Sequence, residues 1–125
     1  MGQSPYKIIC EWLSEVAGNI RDLERKANNV LYEENNEPAY RELMRAKAFR
    51  LSTLAEDARA YLEGIDERDA DFIMEKIERF SKSASMALEV DSPFFMSAIL
   101  YPDDYKDGDE NDLETFISIV SKFDS

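Results

Sequence analysis

Apolar residues stand at Ile9, Leu13, Val16, Ile20, Leu23, Ala27 and Val30, four and three positions apart in turn, with Trp12 beside them. That is the stripe of an amphipathic α-helix, and Glu11, Glu15, Arg21, Asp22, Glu24, Arg25 and Lys26 supply its wet face. Ser4-Pro5 marks the start: a hydroxyl cap, then a residue whose missing N–H costs nothing in the first turn. At 1.5 Å per residue the helix is about 40 Å long. Gly18-Asn19 is its weak point, since an interior glycine costs about 1 kcal/mol against alanine.

The run Glu33-Glu34-Asn35-Asn36-Glu37-Pro38 reads as a polar turn into the next helix. Met44, Ala48, Leu51, Ala55, Ala58, Leu62 and Ile65 then continue the four-three spacing, widened by Tyr40, Leu43, Leu54 and Tyr61. One long second helix is expected, stopped by Gly64 in the usual C′ position. Its alanines allow a neighbouring helix to come close. Asp66 caps a third helix with its stripe at Ala70, Ile73, Ile77, Phe80, Ala84 and Ala87. Acids at Glu67, Asp69 and Asp71 in its first turns complement the positive end of the helix dipole. Ser92-Pro93 repeats the opening device and starts a short apolar helix that runs to Tyr101 and is ended by Pro102. A last helix begins at Asn111 or Asp112, with Leu113, Phe116, Ile117, Val120 and Phe123 on one face.

No stretch alternates with period two, so no strand is expected. The predicted fold is all-α, one domain over residues 1–125: an antiparallel helical bundle of three long amphipathic helices plus two short C-terminal helices. Short connections force neighbouring helices to run in opposite directions. The same heptad regularity also permits a homodimer.

Composition removes several classes of chemistry. With 14 aromatic residues among 125 and 44% hydrophobic content, the chain has the core that disordered segments lack. It contains no histidine and one cysteine, Cys10, which excludes a zinc finger, a Ser-His triad and an intramolecular disulfide. Cys10 reads as a small buried hydrophobe. The four glycines are not clustered into a phosphate loop, and no cofactor is expected. Met1-Gly2 has the start of a myristoylation signal, but Tyr6 stands where a Ser or Thr is needed. There is no signal-peptide core and no run of apolar residues long enough for a membrane span, so a cytoplasmic location away from the membrane is expected.

Charge is the strongest compositional signal. The net value is −12, and residues 102–125 hold eight acids against Lys106 and Lys122, half of the excess. Such a segment repels phosphate backbones and attracts basic surfaces. Asp103, Asp104, Asp107, Asp109 and Glu110 are therefore candidate partner-binding residues, with Phe94, Phe95 and Tyr101 of the preceding apolar run as candidate anchors. That run, apolar all round, is either buried on every side or left facing a partner or a second copy.

Two carboxylate patterns resemble metal sites. From Asp103 to Glu114 the chain is similar to a calcium-binding EF-hand loop, with Asp107, Gly108, Asn111 and Glu114 in the proper places. Tyr105 and Glu110 depart from it, and Pro102 breaks the incoming helix; no metal is expected there. Glu34-x-x-Glu37 followed by Glu63-x-x-Asp66 is similar to the magnesium-binding pairs of all-α nucleotide pyrophosphohydrolases of the MazG type. That resemblance implies a magnesium-dependent hydrolase. In a hairpin, however, the two pairs fall at opposite ends of the second helix, and magnesium needs them convergent.

Against the general acidity, Arg41, Arg45, Lys47 and Arg50 form a cationic group, and a hairpin brings Arg25 and Arg21 toward it. Arg41, Arg45 and Arg50 are a weak candidate for anion binding, as in a subunit of a ribonucleoprotein, but nucleic acid is not the expected partner of so acidic a chain. The function expected from the sequence is a noncatalytic protein-interaction module: an acidic inhibitor or regulator of a protein with a basic, nucleic-acid-binding surface.

Overall fold

The computed structural model describes residues 3–124, the side chain of Asp124 excepted. The Met1-Gly2 start lies outside the described residues. Among them all regular structure is helical: α1 (Pro5–Tyr32), α2 (Glu37–Ser52), α3 (Leu54–Ala58), α4 (Glu67–Glu89), α5 (Pro93–Ala98) and α6 (Asp112–Ser121), with 3-10 turns at Arg59–Tyr61 and Lys122–Asp124. No described helix is long and apolar enough to cross a membrane.

The caps sit where the side chains demand them. Ser4, Asn36, Asp66 and Ser92 each accept a backbone N–H of the first turn of the helix that follows. Asn111 and Glu114 form a reciprocal capping box at the start of α6. Gly64 does not stop a helix as C′: the helical run ends at Tyr61, and Gly64, at φ +85°, lies in the following turn, closed by the Ile65 N–H to the Leu62 carbonyl. α1 runs unbroken for 28 residues through Gly18.

The predicted second helix does not form as one piece. It stops at Ser52 and restarts at Leu54, then tightens into the 3-10 turn at 59–61. The break has a specific cause. In a continuous helix the Ala55 N–H would bond to the Leu51 carbonyl. Here the Ser81 hydroxyl from α4 enters that gap, donating to Leu51 O at 2.8 Å and accepting from Ala55 N at 3.0 Å. A side chain inserted into the backbone ladder bends a helix while keeping both groups bonded. The apolar spacing continues across the bend, so Leu51, Leu54 and Ala58 all stay buried.

α1 packs on α2 and α6, while α2 also packs on α4 and α5. Glu24 meets Lys47, and Trp12 stacks on Tyr61 at 4.5 Å, so the chain after the first turn runs back along α1. The stripes of α1, α2 and α4 enclose Leu13, Ile20, Leu51, Ile73 and Ile77, and Met96, Leu113 and Phe116 close them off. At the opposite end, the Tyr6 hydroxyl donates to Asp69 and accepts from the Asp66 N–H, fixing the start of α1 to the start of α4.

Candidate functional site

The segment after α5 lies across α1 and α2, and the residues that hold it there are polar. Helical spacing sets Arg21 and Glu24 on one face of α1 and Tyr40, Met44 and Lys47 on one face of α2. With Ser97, Tyr101 and Tyr105 these line a pocket of about 480 Å³. At its base, Lys47 is wholly buried. Its ammonium pairs with Glu24 Oε2 at 2.9 Å and donates to the carbonyls of Ser97 at 3.2 Å and Ile99 at 3.0 Å. Those carbonyls lie at the end of α5, so a side chain from another helix does the work of a C-cap. α5 ends at Ala98, before the expected Tyr101, because Ile99 is extended and Leu100 has φ +79°.

The other Glu24 oxygen accepts the Tyr101 hydroxyl at 2.5 Å, and the Lys47 ammonium lies 5.1 Å from the Tyr101 ring centroid. Arg21 binds Glu114 through two nitrogens, at 2.6 and 3.1 Å. It also donates to the Tyr101 hydroxyl at 3.2 Å and to the Asp109 carbonyl at 3.2 Å. Each charge is thus matched and hydrogen-bonded, the condition under which buried charges are tolerated.

The proton affinities follow. Burial lowers the Lys47 pKa below its ordinary value, and Glu24 opposes the shift. Burial, then the bond to Glu24, raises the Tyr101 hydroxyl. Hydrogen bonding to Arg21 holds the Glu114 carboxyl below the usual range, and the same bond raises Arg21. Lys47, Glu24, Tyr101, Arg21 and Glu114 thus bond one another across α1, α2 and the C-terminal segment, so the network acts as a clamp.

The clamp presents the acidic loop. Asp103, Asp104, Asp107, Asp109 and Glu110 are all exposed. Beneath them the Tyr105 hydroxyl donates to Asp109 O at 3.0 Å, the Lys106 N–H donates to the Asp109 side chain, and the Tyr105 ring meets Tyr101 edge-on at 4.7 Å. Asn111 and Glu114, which match ligand places in the calcium-loop pattern, are committed to the capping box and to Arg21. Among the described residues no three carboxylates or other metal-type side chains converge. Glu34 and Glu37 precede and open α2, whereas Glu63 and Asp66 follow the 3-10 turn at the far end of the same run.

The cationic group expected on the second helix divides. Lys47 points inward, whereas Arg45 pairs with Asp91 and Glu42, Arg50 pairs with Asp57, and Arg41 is exposed. Arg25 pairs with Asp22 at the surface. The apolar run divides as well. Met96, Ile99 and Leu100 are buried, but Phe94 is 74% and Phe95 54% exposed, their rings edge-on at 5.8 Å. Tyr101 is half-buried in the clamp instead of standing free as an anchor. Phe95 borders a second, mainly apolar groove of about 560 Å³ between α4 and α5, where Met86 and Val90 are also exposed. Cys10 is half-buried against the core.

Glu24 and Lys47 were the residues that spacing could have flagged: each is a charge on the inner edge of a stripe, one turn from Ala27 and Met44 respectively. No family model, curated protein or solved structure matches the chain.

Proposed function

We propose that the chain is a noncatalytic interaction module of the cytoplasm, an antiparallel helical bundle in one domain. In this reading it acts as an inhibitor or regulator by docking on the basic surface of a protein that otherwise holds nucleic acid. One observation carries the reading: five exposed carboxylates sit on a loop whose backbone is fastened from below by Arg21 and Tyr105. A fastened loop loses little freedom on binding, so its charge is delivered in a set geometry. Arg21 and Lys47 are each matched by a carboxylate, Glu114 and Glu24, so within the loop the cation set against the five acids is Lys106.

The test is capture from nuclease-treated lysate with the full chain, followed by association kinetics on the recovered protein. Raising salt from about 0.1 to 1 M shortens the screening length from about 10 to 3 Å. Association should slow steeply over that range, and D103N/D104N/D107N/D109N should slow it at low salt. Capture indifferent to both salt and these substitutions would overturn the proposal.

A further inference from the structure

The pocket of about 480 Å³ under the clamped segment has two kinds of polar wall. Its inner cations have no donor left to give. Arg21 makes five hydrogen bonds and Lys47 three, which uses each N–H those groups carry. Neither can turn to a ligand without opening the clamp. Arg25, Asn28 and Asp107 line the same pocket and are exposed. The Asn28 amide and the Asp107 carboxylate have no hydrogen-bond or ion partner among the described residues. Arg25 has Asp22, in a pair whose side chains are 75% and 58% exposed, so that bond gives way at little cost.

These uncommitted groups carry opposite signs and stand on different walls. Arg25 and Asn28 are three positions apart on α1 and share one face of it. A guanidinium with an amide beside it fits a carboxylate. Asp107 comes from the acidic loop, and its carboxylate accepts from an ammonium. Met44, buried, and the half-buried rings of Tyr40 and Tyr105 give the pocket its apolar lining. Methionine there adapts to differently shaped side chains.

Charge selects among small ligands. A simple anion meets Asp107 and the field of a chain at −12. A simple cation meets Arg25 at close range. A molecule with one charge of each sign satisfies both walls, and its zero net charge leaves the overall field nothing to act on.

We infer that this pocket binds a free amino acid with a large apolar side chain. Its carboxylate lies on Arg25 and Asn28, its ammonium on Asp107, and its side chain against Met44, Tyr40 and Tyr105. The volume falls in the range of small-molecule sites. The inference does not depend on what docks on the outer side of the loop.

The experiment follows backbone amide shifts of the isotope-labelled full chain by NMR as three probes are added. L-Phenylalanine carries both charges, phenylpropanoate lacks the ammonium, and phenylethylamine lacks the carboxylate. L-Phenylalanine is expected to move the amides of Arg25, Asn28, Met44 and Asp107 saturably. Each of the other two should bind about tenfold more weakly, since each forfeits a charged hydrogen bond. Arg25→Gln should erase the margin over phenylethylamine, and Asp107→Asn the margin over phenylpropanoate. Both side chains are exposed, so each variant should keep the parent's amide spectrum away from the pocket. Equal or tighter binding of phenylpropanoate makes this an anion site, and equal or tighter binding of phenylethylamine makes it a cation site; either overturns the inference. So does the absence of saturable shifts with L-phenylalanine at those amides, or a preference that survives both substitutions.

Discussion

Lys47–Glu24 and Arg79–Glu75 are ion pairs of the same length, 2.9 Å, in opposite surroundings. The first lies under the clamped C-terminal segment with side chains 0% and 14% exposed; the second lies on the outer face of α4 at 69% and 68%. Bond length therefore says nothing here about energetic weight. Beneath the clamp, water cannot replace a lost partner, and each charge depends on the bonds the fold provides. On α4, water replaces the partner at once. The two regions also differ in use: the clamp fixes the acidic loop, whereas the α4 face is left free beside the groove.

The sharpest way to break that contrast is to remove one buried charge. Glu24→Leu strands the Lys47 ammonium, and the expected loss is about 3–5 kcal/mol, read from urea unfolding. Lys47→Met together with Glu24→Leu should recover part of that loss, because no unpaired charge remains. Recovery stays partial, since the Tyr101 hydroxyl and the Ser97 and Ile99 carbonyls lose their partners. A loss below about 1 kcal/mol in the single variant would mean that water reaches the site.

Acid tests the second bond of the clamp. Glu114 has its folded pKa held below 4.5 by Arg21. Its stabilising contribution is therefore present above the ordinary pKa and lost as pH falls through the folded value. Glu114→Gln should cost about 1–2 kcal/mol near neutrality. The gap between parent and variant should close in strong acid, as followed by thermal melting across pH. A gap that stays constant with pH would show that the charge of Glu114 contributes nothing, since glutamine keeps an oxygen to accept the Asn111 N–H.

Much of this architecture was legible in advance because it depends on neighbours in sequence. The caps at Ser4, Asp66 and Ser92, the start of the last helix at Asn111 or Asp112 and the stripes of α1 and α4 are all local signals, and each appears in the structure. The break at Thr53 was not legible, because its cause is Ser81, 26 residues downstream of Ala55. An apolar stripe cannot report a bend that keeps Leu51, Leu54 and Ala58 buried on both sides of it. The clamp was hidden for a related reason. Spacing places Glu24 and Lys47 at the edges of their stripes, but their pairing and the segment that covers them depend on contacts between residues far apart in sequence. The exposed acids of the loop were expected as candidates, whereas the fastening under them by Arg21 depends on contacts spanning 93 residues.

α1 allows a smaller change on its own two faces. Gly18 is exposed on the outer face, and a Cβ there would meet nothing within 4 Å. Its backbone is helical, so the substitution introduces no strain. Gly18→Ala should stabilise the protein by about 0.5–1 kcal/mol, through lower entropy of the unfolded chain. Thermal melting would read this as a rise in Tm. No gain would show that the helix is already deformed at Gly18.

The smallest effect is expected at the outer pair. Arg79→Ala removes an ion pair between residues one turn apart on α4, both largely in water. Pairs of this kind contribute about 0.3–0.5 kcal/mol in helices. Alanine returns a similar amount through its higher helix propensity. The net change should fall within about 0.5 kcal/mol of zero. Urea unfolding in low salt, where exposed pairs are strongest, is the most demanding measurement. A loss approaching that of Glu24→Leu would mean that the α4 face is covered in solution. Arg79 lines the groove, so the covering partner would have to lie against the wall that Phe95 also borders.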